Sequence, residues 1–156
     1  MNRKTNRNTT GPLSGVRVLE ITQIMSGPTC GLLLADLGAD VIKIEKTQGG
    51  DDARGYRDPQ VGGVSGPFMM MNRNKRGLAL DLKSEQGRAL LLRMVKQADV
   101  LVENFRGGTM DKLGLGYEVL KAQNPGLIYC AITGYGRSGP YADKGGFDLI
   151  AQGFAG

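Results

Sequence analysis

The segment from Val16 to Glu45 constrains this chain more than any other. Val16-Arg17-Val18-Leu19-Glu20-Ile21 is rich in β-branched residues and predicts a strand. Met25-Ser26-Gly27-Pro28 reads as a turn, with Pro28 placed to open a helix. Cys30 to Leu37 supplies that helix with an apolar face, and Gly38 closes it. Asp40-Val41-Ile42-Lys43-Ile44-Glu45 predicts the next strand. Strand, tight turn, helix, Gly and strand in about 30 residues make a βαβ unit, which demands a parallel pair and a right-handed crossover.

The same alternation continues. Further strands are expected at Leu78–Leu82, Asp99–Glu103 and Leu127–Ile132. Ser84 caps a helix carrying Leu90, Leu91, Met94 and Val95 at helical spacing. A helical pair covers Thr109 to Gln123, and another helix begins near Phe147. Residues 46–66 read as one long polar, Gly-rich loop, followed by a short helix whose Met69-Met70-Met71 run is core filler. The expected fold is α/β: a Rossmann-like, mainly parallel sheet with helices on both faces. Residues 1–12, basic and rich in Asn and Thr, read as a disordered leader; residues 13–156 read as the N-terminal part of the Rossmann-like domain.

Composition removes whole classes of function. The chain has no His and two Cys. Neither His-activated nucleophiles nor His-containing metal sites can be built, and Cys30 and Cys130, a hundred positions apart, make no zinc ribbon or disulfide framework. Both read as reduced, buried thiols, and a cytoplasmic location is expected. No apolar run approaches the ~20 residues of a membrane span, so no membrane partner is expected. The net charge of +5 favours an anionic partner. Nucleic acid is not that partner, because no aromatics cluster with the cations in an RNA-recognition pattern.

In a parallel α/β sheet a ligand sits outside the carboxyl ends of the strands. Neither the G-x-G-x-x-G nor the G-x-x-x-x-G-K-[ST] phosphate cradle occurs. The Ser26-Gly27-Pro28 turn reads either as an anion rest at a helix start or as a plain helix entry. Lys46, Lys83, Arg106 and Lys112 follow successive strands, and Lys75 and Arg76 precede one. Each alone is an ordinary surface charge; converging on one edge, they would suit a phosphorylated ligand. Glu45 stands where a dinucleotide enzyme places its ribose acid. Asp148 reads as a helix-start residue or an acid at a site rim.

Taken in order, GPLSGVRVLEIT, SGPTCGLLLADLGADVIKIEK, GGDDAR, NRNKRGLALDLKSEQGR, ADVLVENFRGG, LGLGYEVLKAQNPGLIYCAITGYGRSGPY and GGFDLIAQGFAG resemble the class III coenzyme A transferases, with their formyl-CoA, carnitine and dicarboxylate branches and the related 2-methylacyl-CoA racemases. The resemblance runs from about Gly11 to Gly156. It implies a Rossmann-like domain that binds coenzyme A as acyl-CoA, a carboxylic acid acceptor, exchange through an aspartyl anhydride, no metal, and a homodimer of interlocked chains. By position it puts Met25 and Ser26 at the thioester end of CoA, Lys46 facing the nucleotide, and Leu80, Asp81, Leu82 and Lys83 along the adenosine. It puts Asn104, Phe105 and Arg106 in the following loop, Lys112 at a further basic position, and Asp148 as a supporting acid near the thioester.

The formyl-CoA enzymes carry Gln where this sequence has Met25. A thioether donates no hydrogen bond, so other, dicarboxylic acyl groups are expected. The racemases carry His where this sequence has Phe147, which cannot abstract an α-proton. The family's nucleophilic aspartate is expected beyond Gly156, in a later segment with the second domain and the return of the chain. The 156 residues alone are therefore expected to be inactive. A non-catalytic CoA- or partner-binding remnant, or a split subunit, is the alternative.

Overall fold

The computed structural model describes residues 10–156. Five parallel strands form its main sheet: β1 (Arg17–Ile21), β2 (Asp40–Glu45), β5 (Arg76–Ala79), β6 (Val100–Glu103) and β7 (Ile128–Ala131). Their spatial order, β5-β2-β1-β6-β7, is that of a doubly wound sheet whose winding reverses between β1 and β6. The minor elements β3 (Gln60–Val61) and β4 (Val64–Ser65) pair antiparallel. They lie within the segment read from sequence as an unbroken loop, together with a 3₁₀ turn at Asp52–Gly55. Two-residue strands carry no readable alternation, which is why the pattern missed them.

Helix α1 (Ser26–Asp36) starts two residues before Pro28. It stops as the Gly predicts: Gly38 at φ 99° donates its N–H to Ala35 O, and Ala39 donates to Leu34 O. This double bond pattern satisfies carbonyls that the helix end leaves open. Helix α2 (Gly66–Asn72) follows the hairpin; of its methionines only Met71 is buried, while Met69 and Met70 face outward. The methionine run is thus one core residue, not three, because α2 presents a single face inward.

The third strand of the main sheet lies two residues earlier than expected. β5 pairs with β2 from Ile42↔Arg76 to Glu45↔Ala79, after which the Asp81 carboxylate accepts the Lys83 N–H and turns the chain away. Helices α3 (Glu85–Val95), α4 (Thr109–Lys112) and α5 (Tyr117–Gln123) match their sequence signals, and α6 (Asp148–Ala155) buries no residue. Ser84 caps α3, its Oγ accepting the Gly87 N–H at 3.0 Å.

Two cores follow from the alternation of strand side chains. On one face Leu19, Ile21, Ile44 and Leu101 pack against Leu91, Val95, Leu115 and Leu120. On the other Val18, Val41 and Val102 meet Ala35 of α1, with Cys30 and Cys130 beside them. Both thiols are half-buried rather than buried as expected, and burial pushes the Cys30 thiol up, with Cys130 adding to the rise. The expected leader lies mostly outside the described residues. Described structure begins at Thr10, and the Leu13 N–H bonds Leu37 O at the end of α1.

Candidate functional site

A cleft of about 520 Å³ opens over the carboxyl ends of β1, β2, β5 and β6, within the size range of small-molecule sites. Its floor is apolar: Ile21, Ile44, Leu80, Leu82, Phe105 and Leu113. Its rim carries Lys46 and Lys83, both exposed, with Gln23, Gln48 and Thr109 as further polar groups. The Lys46 ammonium pairs with Asp52.

Seven residues singled out from sequence therefore meet in one place: Glu45, Lys46, Leu80, Asp81, Leu82, Lys83 and Phe105. The others do not line the cleft. Met25 and Ser26 sit at the head of α1, where the Met25 carbonyl accepts the Thr29 N–H and hydroxyl. Arg106 lies beyond the end of β6 near Gly145, and Lys112 is exposed at the end of α4. Asp148 is exposed on α6 and accepts the Gln152 amide at 2.8 Å.

Asn104 has a different task. Its Oδ1 accepts the Gln23 N–H at 2.9 Å and its Nδ2 donates to Gln23 O at 2.8 Å. The side-chain amide thus imitates a strand partner and stitches the end of β6 to the end of β1, where the winding reverses. Glu45 is likewise engaged: Arg54 grips it with two bonds of 2.6 and 2.8 Å, and the Asp51 N–H donates to it at 2.8 Å. Burial pushes this carboxyl up, but those contacts outweigh it and hold Glu45 below the usual range.

Behind the Thr22 and Asp51 side of the cleft lies a group of charges that the pattern of apolar runs concealed. Glu20 and Lys43 are register partners on β1 and β2, and both are fully buried. The Lys43 ammonium meets Glu20 Oε1 and Thr22 O at 3.0 Å each and Asp51 Oδ2 at 2.8 Å. The Lys75 ammonium meets Glu20 Oε2 at 2.8 Å, Pro28 O at 2.7 Å and Asn72 Oδ1 at 2.9 Å. Each ammonium thus makes two hydrogen bonds and one further close ion pair, Lys43 to Asp51 and Lys75 to Glu20. Lys75, grouped from sequence with the surface cations, is thus an internal strut, and burial pulls its ammonium below the usual value despite Glu20. Gly31 makes room for the group, since a Cβ there would run into the Glu20 carboxylate. The available signal was a Glu and a Lys inside two strands otherwise reading as buried on both faces.

Residues 13–156 match the CoA-transferase family III. The chain belongs to that family. It is 48% identical over 151 residues to a succinate–glutarate CoA-transferase of Agrobacterium fabrum, covering 93% of this chain and 38% of that one. It is 44% identical to a succinyl-CoA–D-citramalate CoA-transferase of Chloroflexus aurantiacus, covering 93% of this chain and 36% of the relative. A crystal structure of a CAIB/BAIF family protein from Brucella suis superposes with a TM-score of 0.87 at 49% identity, over 92% of this chain and 39% of that one. The chain thus spans well under half the length of these relatives. The family match agrees with the resemblance read from the loop motifs, and the solved relative with the parallel α/β sheet.

Proposed function

We propose that this chain forms the coenzyme A site of an enzyme that moves CoA from an acyl-CoA to a carboxylic acid. One observation carries the reading: in a CoA-transferase family III chain, two lysines and an apolar floor meet in a single cleft at the carboxyl edge of a parallel sheet. CoA joins an apolar-faced adenine to phosphates carrying a charge of roughly −4, counting ~−2 for its 3′-phosphate. Leu80, Leu82 and Ile44 offer a surface for the ring, and Lys46 and Lys83 offer donors for the phosphates. For Lys46 to serve, the phosphate replaces Asp52 as its partner.

In this reading CoA moves through anhydrides on an aspartate. That carboxylate attacks the thioester carbonyl and releases CoA thiolate. The thiolate attacks the aspartyl carbonyl of the anhydride, which frees the donor acid and leaves an aspartyl-CoA thioester. The acceptor carboxylate then attacks that thioester, releasing the thiolate and forming a second anhydride. Attack of the thiolate on the acceptor carbonyl gives the new acyl-CoA and returns the aspartate. Asp148 is not assigned this role; the family resemblance puts the aspartate in a later segment. Acyl donor and acceptor are proposed to be dicarboxylic, supported by the names of the relatives above and by the thioether at Met25. The parent acts as a homodimer.

Calorimetric titration of the chain with CoA tests the site. Binding is expected, weakened roughly threefold to tenfold in K46A/K83A, the range for two exposed charge contacts, and weakened further by salt. Absence of binding, or a double variant with unchanged affinity, overturns the assignment. The 156 residues are expected to show no transferase turnover; measured turnover would place the whole machinery within them.

A further inference from the structure

The turn from β1 into α1 holds Ile24 at φ 68°. This left-handed conformation suits glycine; a β-branched side chain there crowds its own backbone and persists only where the surroundings impose it. The imposing group is Asp51, which reaches across from the loop after β2. Its carboxylate is buried, and Oδ1 accepts the Ile24 N–H and the Ala53 N–H, each at 2.9 Å. Oδ2 faces the Lys43 ammonium at 2.8 Å. Lys43 therefore orients the carboxylate, and the carboxylate sets the turn. The residues before Ile24 are pinned as well: Thr22 O by Lys43 and Gln23 by both atoms of the Asn104 amide.

Thr22, Gln23 and Asp51 all line the cleft. One buried acid thus couples its β1 wall to its β2 wall. We infer that Asp51 is a positioning residue for coenzyme A: without touching the reacting atoms, it holds the Thr22–Met25 turn in a strained shape that gives the cleft its bound form before the ligand arrives. The inference rests on the CoA reading of this cleft, and preorganisation of this kind raises affinity by removing an ordering cost from the binding step.

The test combines D51A, I24G and the double variant D51A/I24G in the full chain, with CoA affinity read by calorimetry and amide hydrogen exchange read at Gln23, Ile24 and, as a fold control, Leu19. D51A is expected to bind CoA at least tenfold more weakly and to lose protection at Ile24 while Leu19 stays protected. A Gly at position 24 adopts the turn without strain, so D51A/I24G is expected to recover most of the lost affinity. A merely structural role for Asp51 would give no such rescue. Should D51A fail to fold, D51N replaces it. An Asn offers one acceptor end and one donor end, so it cannot satisfy both Lys43 and the Ile24 N–H, and the same loss and the same rescue by I24G are expected. A folded variant with wild-type affinity and protection, or a double variant no better than the single, overturns the inference. The exchange arm needs no ligand. A wild-type chain that binds no CoA overturns the CoA reading and this role for Asp51 with it, whereas normal CoA binding with no response to Asp51 overturns the positioning role alone.

Discussion

The two faces of the central sheet are built on different principles. Under α3 and α5 the strands present Leu19, Ile21, Ile44 and Leu101, an apolar layer that buries area and asks little of geometry. Under α1 they begin the same way, with Val18 and Val41, but change toward their carboxyl ends to Glu20, Thr22 and Lys43, all buried. Such a charged layer adds little net stability relative to apolar residues of the same shape, yet removing one member is costly. Its effect is to allow one arrangement of β1, β2, α1 and the Asp51 loop. The comparison teaches that the α1 face, which reaches the cleft at Thr22 and Asp51, is built to fix positions, and that the α3 face, which supplies the cleft's apolar floor, is built to hold the fold together.

The sharpest way to break this comparison is Glu20→Ala, which strands the Lys43 and Lys75 ammoniums in a dry interior. A loss of about 3–5 kcal/mol is expected in urea unfolding. Replacing Glu20 and Lys75 together by apolar residues should cost less than the sum of the single changes, which a double-mutant cycle measures. If Glu20→Ala costs under about 1 kcal/mol, the charges are not a buried unit. On the opposite face Leu101→Ala, at a site with no exposure, is expected to cost about 2–5 kcal/mol through lost transfer energy and the cavity left behind. Its marker is additivity: no coupling to Lys75, because the two sites share no partner.

Why one face was legible in the sequence and the other only half so follows from the same contrast. Apolar periodicity reports what a segment buries, so the parallel strands, α1, α3 and the Gly38 stop could be read directly. The carboxyl-edge rule then located the cleft with Glu45, Lys46 and Lys83 at its edge, while Leu80, Asp81, Leu82 and Phe105 came from the family resemblance. Pairings between distant segments leave no such trace. Nothing local tells that Lys75 turns inward while Lys83 stays outside, that Asn104 spends both amide atoms on Gln23, or that Asp51 rather than Glu45 ties the cleft walls together. Arg106, Lys112 and Asp148 show the converse: a position after a strand is not a direction toward the cleft.

Smaller effects sharpen the contrast. Gly31→Ala would gain about 1 kcal/mol in helix propensity at an ordinary position. Here the new methyl meets the Glu20 carboxylate, so a net loss of about 1–3 kcal/mol is expected in thermal or urea unfolding. A neutral or stabilising outcome would mean that α1 can lift off the charged layer freely. Ser84→Ala removes the cap of α3 on the apolar face. It should cost about 1 kcal/mol without coupling to any charged residue of the α1 face.

The last distinction is one of sign with pH. Burial works against ionisation of Asp51, but Lys43 and the two amide N–H groups prevail and hold it below its usual 3.8. Its contribution to stability is present above 3.8 and is lost as pH falls through the lower folded value. Glu103, on the apolar face at the end of β6, is opposite. Burial raises it above its usual 4.5, although the Phe105 N–H and the Tyr129 hydroxyl bond its oxygens at 2.8 and 3.1 Å. At neutral pH the folded state holds that carboxylate charged at a cost, and the cost fades as pH falls through the raised folded value toward 4.5. Urea midpoints of the wild type and Glu103→Gln, compared from pH 7 down to 4.5, should therefore converge in the wild type's favour. Gln removes the titration, so the wild type gains relative to the variant over that window and the difference is constant below it. A difference independent of pH would show that Glu103 ionises as freely in the folded chain as in the unfolded one, and would remove this contrast between the two faces.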